Sequence, residues 1–111
     1  MTQPPSNDVL RGTLDLLILR TLQSGAEHGW AIAQRIQQVS EEALQIGQGS
    51  LYPALQRLEQ RGWIDSEWLR TEENRRARYY RLTPAGDRAL RAETESWRRY
   101  VHAVELVLET S

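Results

Sequence analysis

Three hydrogen-bonding side chains, Gln48, Ser50 and Tyr52, open an amphipathic helix in the run Gly47-Gln48-Gly49-Ser50-Leu51-Tyr52-Pro53. An amide there can pair with an adenine edge, and hydroxyls can bind phosphate. The free N–H groups of a helix start also favour an anion. Arg57 lies further along the same helix, where it could reach a phosphate backbone. A second cluster follows: Arg70, Arg75, Arg76, Arg78 and Arg81 fall within twelve residues. Five arginines there stand against Glu72 and Glu73, a local charge of +3 on a chain whose net charge is −1. The planar guanidinium fork grips phosphate and guanine edges bidentately. Both clusters also have plainer readings, with Ser50 as a cap, Tyr52 as a packing residue and the arginines as a solvated turn.

The elements that must position these residues follow from periodicity. Leu10, Leu14, Leu17, Ile18 and Leu22 predict a first helix from about Leu10 to Ser24, with Thr13 as a candidate cap and Gly25 as a terminator. Trp30, Ile32, Ala33, Ile36 and Val39 predict a second helix that opens at His28-Gly29 and ends near Ser40. Ser50 is the expected N-cap of the third, with Pro53 in its first turn, Leu51, Leu55 and Leu58 as its buried stripe and Gly62 as its end. Trp63–Leu69 and Arg78–Leu82 then read as two strands around a polar turn, Thr71–Ala77.

Thr83-Pro84 is a capped helix start, and the last helix should run to about Leu108. Its length of roughly 37 Å exceeds what a cover for a small core needs. Leu90, Trp97, Val101, Val104 and Leu108 repeat along it as a heptad-like dimerisation seam. Trp97, with Tyr100 on a neighbouring face, is explained by dimer packing. Two facing Trp97 rings could instead sandwich a flat aromatic ligand.

The fold class expected is mainly α with a small β-hairpin: a winged helix-turn-helix with a long C-terminal dimerisation helix. The domain reading is a flexible tail over 1–9, a winged helix over 10–83 and a dimerisation helix over 84–111. At 111 residues, 40% hydrophobic, the chain has room for one modest core. It has no cysteine and no lysine, hence no disulfide, thiolate metal site, cysteine nucleophile or Walker lysine. His28 and His102 lack ligand companions at helical spacing. An enzyme, a cofactor and a metal are therefore not expected. No run is apolar enough to span a bilayer and the N-terminus is polar, so a cytoplasmic location and no membrane partner are expected.

The ordered set of motifs resembles the short PadR-type transcriptional regulators. It comprises Leu14-Asp15-Leu16-Leu17-Ile18-Leu19, His28-Gly29-Trp30-Ala31-Ile32, Gly49-Ser50-Leu51-Tyr52-Pro53-Ala54-Leu55 with Arg57-Leu58-Glu59, and Arg75-Arg76-Ala77-Arg78-Tyr79-Tyr80-Arg81-Leu82-Thr83 with Gly86. The resemblance implies a homodimeric repressor that sets the third helix of each subunit in the major groove of palindromic double-stranded DNA. By motif position it implies DNA contacts at Gln48, Gly49, Ser50, Tyr52, Arg75, Arg76 and Arg78. It also implies a planar aromatic effector at Trp97 between the paired helices. Asn74 stands where the family's wing often has glycine, and Trp30 where it usually has tyrosine. The wing and Gln48-Gly49-Ser50 further resemble a subgroup often encoded beside membrane permease genes. Two other readings are a dimer built to bind small aromatic molecules and a winged helix that docks a protein, each with incidental DNA contacts. The first predicts tryptophan quenching by planar aromatics, and the second predicts no salt-dependent DNA affinity.

Overall fold

The computed structural model describes residues 7–110, with side chains described from residue 12 onward. The element order is α1 (Asn7–Leu22), β1 (Glu27–His28), α2 (Gly29–Val39), α3 (Gln48–Gln60), β2 (Ile64–Arg70), β3 (Arg76–Leu82) and α4 (Pro84–Glu109). The three strands form one antiparallel sheet in the order β1-β3-β2. This is a winged helix with a long C-terminal helix.

The core is the meeting point of the apolar stripes. Ile18 and Leu19 of α1, Ile32 of α2, Leu51, Leu55 and Leu58 of α3 and Ile64 of β2 are fully buried together. Tyr80 of β3 and Leu90 of α4 close the cluster. Burial there pushes the Tyr80 hydroxyl above its ordinary pKa, the Arg78 charge opposing this and the Glu59 charge adding to it.

Two junctions behave as predicted. At the end of α3 the Trp63 N–H donates to the Leu58 carbonyl and the Gly62 N–H to the Glu59 carbonyl, both at 3.0 Å. This Schellman pattern needs a left-handed residue, and Gly62 supplies it with φ 75°. At the start of α4 the Thr83 hydroxyl accepts from the Gly86 N–H at 3.0 Å, and Pro84 follows in the first turn.

Several expectations are corrected. α1 begins at Asn7 and ends at Leu22, so Thr13 lies inside it and cannot be its cap, and 7–9 belong to the helix rather than to a tail. Residues 1–6 of that tail lie outside the described residues. The N-cap of α3 is Gly47 and not Ser50, which sits inside the first turn. Pro53 consequently falls past that turn, within the helix. Both hairpin strands run closer to the tip than predicted, which leaves Thr71–Arg75 as the turn. Leu90 is 3% exposed and packs into the core, so it does not belong to an outward-facing seam.

Candidate nucleic-acid interface

The hairpin register sorts the arginines onto faces. Cross-strand pairs are Ser66 with Tyr80, Trp68 with Arg78 and Arg70 with Arg76. Side chains alternate along a strand, so Ser66, Trp68, Arg70, Arg76, Arg78 and Tyr80 share one face. Within the hairpin that face carries three arginines and no carboxylate; Glu27 of β1, paired with Tyr80, joins it at the far edge of the sheet. The opposite face carries Asp65, Glu67 and Arg81, where Arg81 bridges Asp65 at 2.6 Å and Glu67 at 3.8 Å. The hydrogen bond to Asp65, then the charges of Asp65 and Glu67, hold the Arg81 guanidinium above its ordinary pKa. Arg81 is thus engaged away from the arginine face.

The arginine face looks toward α3, because Tyr80 on it is buried in the core and Arg78 reaches Glu59 of α3. At the other end of α3, Gln48, Gly49 and Ser50 are exposed and no side chain caps the helix. Its first N–H groups therefore point outward at the positive end of the helix dipole. Tyr52 is 46% exposed. Its ring lies against α2 where Gly29 has no side chain: a Cβ there would sit 3.2 Å from Tyr52 Cε1. A cleft of about 460 Å³ lies between Tyr52 of α3 and Arg76 and Arg78 of the hairpin, with Trp30 and Trp68 also in its walls.

At the tip, the Asn74 N–H donates to the Thr71 carbonyl at 2.9 Å, and Asn74 has φ 61°. Asparagine tolerates this left-handed conformation better than most residues. The turn thus keeps a backbone that glycine would also adopt. Arg70 Nη1 donates to Asn74 Oδ1 at 3.2 Å and ties down the tip. Arg75 and Arg76 are exposed and form no ion pair with the described residues, while Arg76 lies 5.1 Å from the Trp68 ring centroid.

Arg57 departs from expectation. Its Nη2 donates to Asp15 Oδ1 of α1 at 2.8 Å, turned away from the exposed start of α3. Arg78 is also engaged, with Ser66 and Glu59. Sequence reading missed Trp30, Glu59, Ser66 and Trp68 as neighbours of the site. Strand alternation would have grouped Ser66 and Trp68 with Arg76 and Arg78, once the register was known.

The family model for the transcriptional regulator PadR-like family matches residues 18–92. That match spans α1 to α4 through both clusters. The chain belongs to the PadR-like family of transcriptional regulators.

Relatives of the same kind resemble this PadR-like chain over most of its length. A transcriptional regulator of Mycobacterium tuberculosis is 39% identical over 80 residues, 72% of this chain and 71% of the relative. A solved transcriptional regulator from Clostridium thermocellum superposes with a TM-score of 0.80 at 35% identity, covering 88% of this chain and 95% of the other. A PadR family regulator from Eggerthella lenta gives 0.77 at 32% identity, covering 94% and 88%. Membership implies DNA-binding regulation, and these neighbours are transcriptional regulators.

Among the described residues, no helix of this PadR-like chain is long and apolar enough to cross a membrane, and no three carboxylate or imidazole side chains gather as a metal site. Beyond Leu90, α4 carries Trp97, Tyr100, Val104, Val107 and Leu108 exposed, with Val101 half-buried. The Trp97 and Tyr100 ring centroids are 6.0 Å apart at 37°.

Proposed function

We propose that this chain is a homodimeric, sequence-specific repressor that binds a palindromic operator. The observation that carries the reading is geometric. Tyr52 near the start of α3 and Arg76 and Arg78 of the hairpin border one cleft, so a duplex lying across it can meet both elements. Gln48 and Tyr52 would then face base edges in the major groove, while Gly49 allows the backbone to approach and Ser50 meets phosphate. Arg75 and Arg76 would grip phosphate or enter the adjacent minor groove.

The exposed stripe of α4 from Trp97 to Leu108 supports pairing with a second copy. Two recognition helices held roughly 34–36 Å apart match half-sites one helical turn apart. Trp97 offers a flat face for a planar aromatic effector between paired helices. Such a ligand would release DNA only by favouring a different helix spacing.

Selection of bound duplex from a random pool tests the reading. A recovered inverted repeat, shifted by the protein and weakened steeply by salt, is the expected result. Recovery of no enriched sequence would refute base reading. Quenching of tryptophan fluorescence by planar aromatics, lost in Trp97→Ala, tests the effector separately.

A further inference from the structure

One face of the hairpin is tied to the end of α3 by a closed set of contacts. Arg78 Nε donates to Ser66 Oγ at 2.8 Å, and Arg78 Nη2 donates to Glu59 Oε2 at 3.2 Å. Ser66 Oγ donates to the same Glu59 oxygen at 2.8 Å. The three side chains come from β3, β2 and the last turn of α3, so the triangle spans every element of the helix–wing junction. Trp68 extends it, with the guanidinium carbons of Arg78 and Arg76 lying 5.8 Å and 5.1 Å from its ring centroid. Both are within cation–π range.

We propose that Glu59, Ser66, Arg78 and Trp68 form a brace that fixes the wing against the recognition helix and thereby sets operator choice. The proposal rests on the DNA-binding reading above. Its residues are positioning residues, and Arg78 serves the protein rather than phosphate. A two-stranded hairpin holds its direction poorly without packing. Ordering the wing before DNA arrives removes an ordering cost from specific binding. The same order matters little to a random duplex, which any exposed arginine can grip.

Charge makes the test sharp. A carboxylate near a polyanion repels it, so removing Glu59 should tighten all DNA binding if repulsion is its main effect. A brace predicts the opposite for operator DNA. The experiment uses the full chain, an operator recovered by selection and a random-sequence duplex of equal length. Glu59→Ala should weaken operator binding about tenfold, the loss expected for charge-assisted hydrogen bonds, without weakening the random duplex. Arg78→Lys keeps the charge but cannot serve Ser66 and Glu59 with one fork, so it should lose the same preference. Trp68→Phe should restore most of what Trp68→Ala loses.

Amide exchange gives a second readout, with β3 exchanging faster in Glu59→Ala and α1 unchanged. If Glu59→Ala melts early, Ser66→Ala and Arg78→Lys carry the same comparison. Tighter binding of both duplexes by Glu59→Ala would overturn the brace and make Arg78 a phosphate contact restrained by Glu59. A wild-type chain that binds neither duplex would instead overturn the DNA reading, and the brace's role in operator choice with it.

Discussion

Arg57, on the helix expected to meet DNA, is turned inward onto Asp15 of α1, with Nη2 2.8 Å from Oδ1 and the two side chains 25% and 12% exposed. A buried Nε that has no acceptor among the described residues deepens its dependence on that carboxylate. The pair joins α1 to α3 and so holds α3 on the core. Asp15→Ala should lower stability by about 1–3 kcal/mol, less than a fully buried pair because solvent screens it. Arg57→Ala should do the same and leave the salt dependence of DNA binding unchanged. Urea unfolding and a salt titration check both. A salt slope lower by about one unit at unchanged stability would put Arg57 on a phosphate instead.

Gln48 and Arg76 should fail differently. Gln48 is exposed in the first turn of α3, and Arg76 stands on the exposed arginine face at the start of β3. Gln48→Ala should relax sequence preference by about 1–3 kcal/mol at one position of each half-site. Arg76→Ala should weaken all sequences alike and reduce the salt slope by about one unit. Binding of a set of single-base operator variants at two salt concentrations separates the two. Identical behaviour of the mutants would remove the division between reading and gripping.

Local chemistry made much of this fold legible, and partner identity made the rest obscure. Gly62 and Thr83-Pro84 ended and began helices because their backbone requirements are written in the residue types. β1 was invisible: Glu27 and His28 are strand only because they pair with Tyr80 and Tyr79, more than fifty residues away. Arg57 and Arg78 read as cations open to DNA, since sequence shows a charge and not the carboxylate that meets it. Leu90 fitted the heptad spacing, but the core occupies that side of α4 near its start. Gln48, Tyr52 and Arg75 are exposed on the helix start and the turn where the sequence places them, whereas Ser50 lies inside the helix and Arg76 in β3.

Gly86 should be close to irreplaceable. A Cβ built there would lie 1.9 Å from the Trp63 carbonyl oxygen and 2.8 Å from its carbon, both backbone atoms. That carbonyl also accepts from the Thr83 N–H at 3.1 Å, so neither side can retreat without loosening the start of α4. Gly86→Ala should cost about 2 kcal/mol or more and lower the melting temperature by roughly 8 °C. Gly12→Ala is the matched control, because nothing lies within 4 Å of its added Cβ. It should stabilise α1 by about 0.5–1 kcal/mol. Equal melting temperatures for the two variants would contradict the packing argument.

Tyr80 should make the fold sensitive to alkali. Burial raises its pKa above 10.0, so from about pH 10 the unfolded chain releases a proton that the folded chain retains. Stability is therefore fully present below that pH and falls as pH rises through the folded value. Tyr80→Phe removes the titrating group and should flatten the decline in urea midpoint above about pH 10. An unchanged decline would assign it to other groups.

α4 should divide into two functional halves at Thr94, which sits between buried Leu90 and exposed Trp97. Leu90→Ala should destabilise the fold by about 2–5 kcal/mol while leaving association unchanged, since its side chain contacts the core. Val104→Glu with Leu108→Glu should do the reverse. Both positions are exposed within the single chain, so the carboxylates cost the monomer little, but they would bring like charges together across a paired helix. Sedimentation should then show a monomer that melts near the wild-type temperature if the melt is not itself concentration-dependent. Operator affinity should fall steeply, because the second half-site is no longer held at high effective concentration. A double variant that stays dimeric would move the pairing surface off this stripe and remove Trp97 from the subunit boundary.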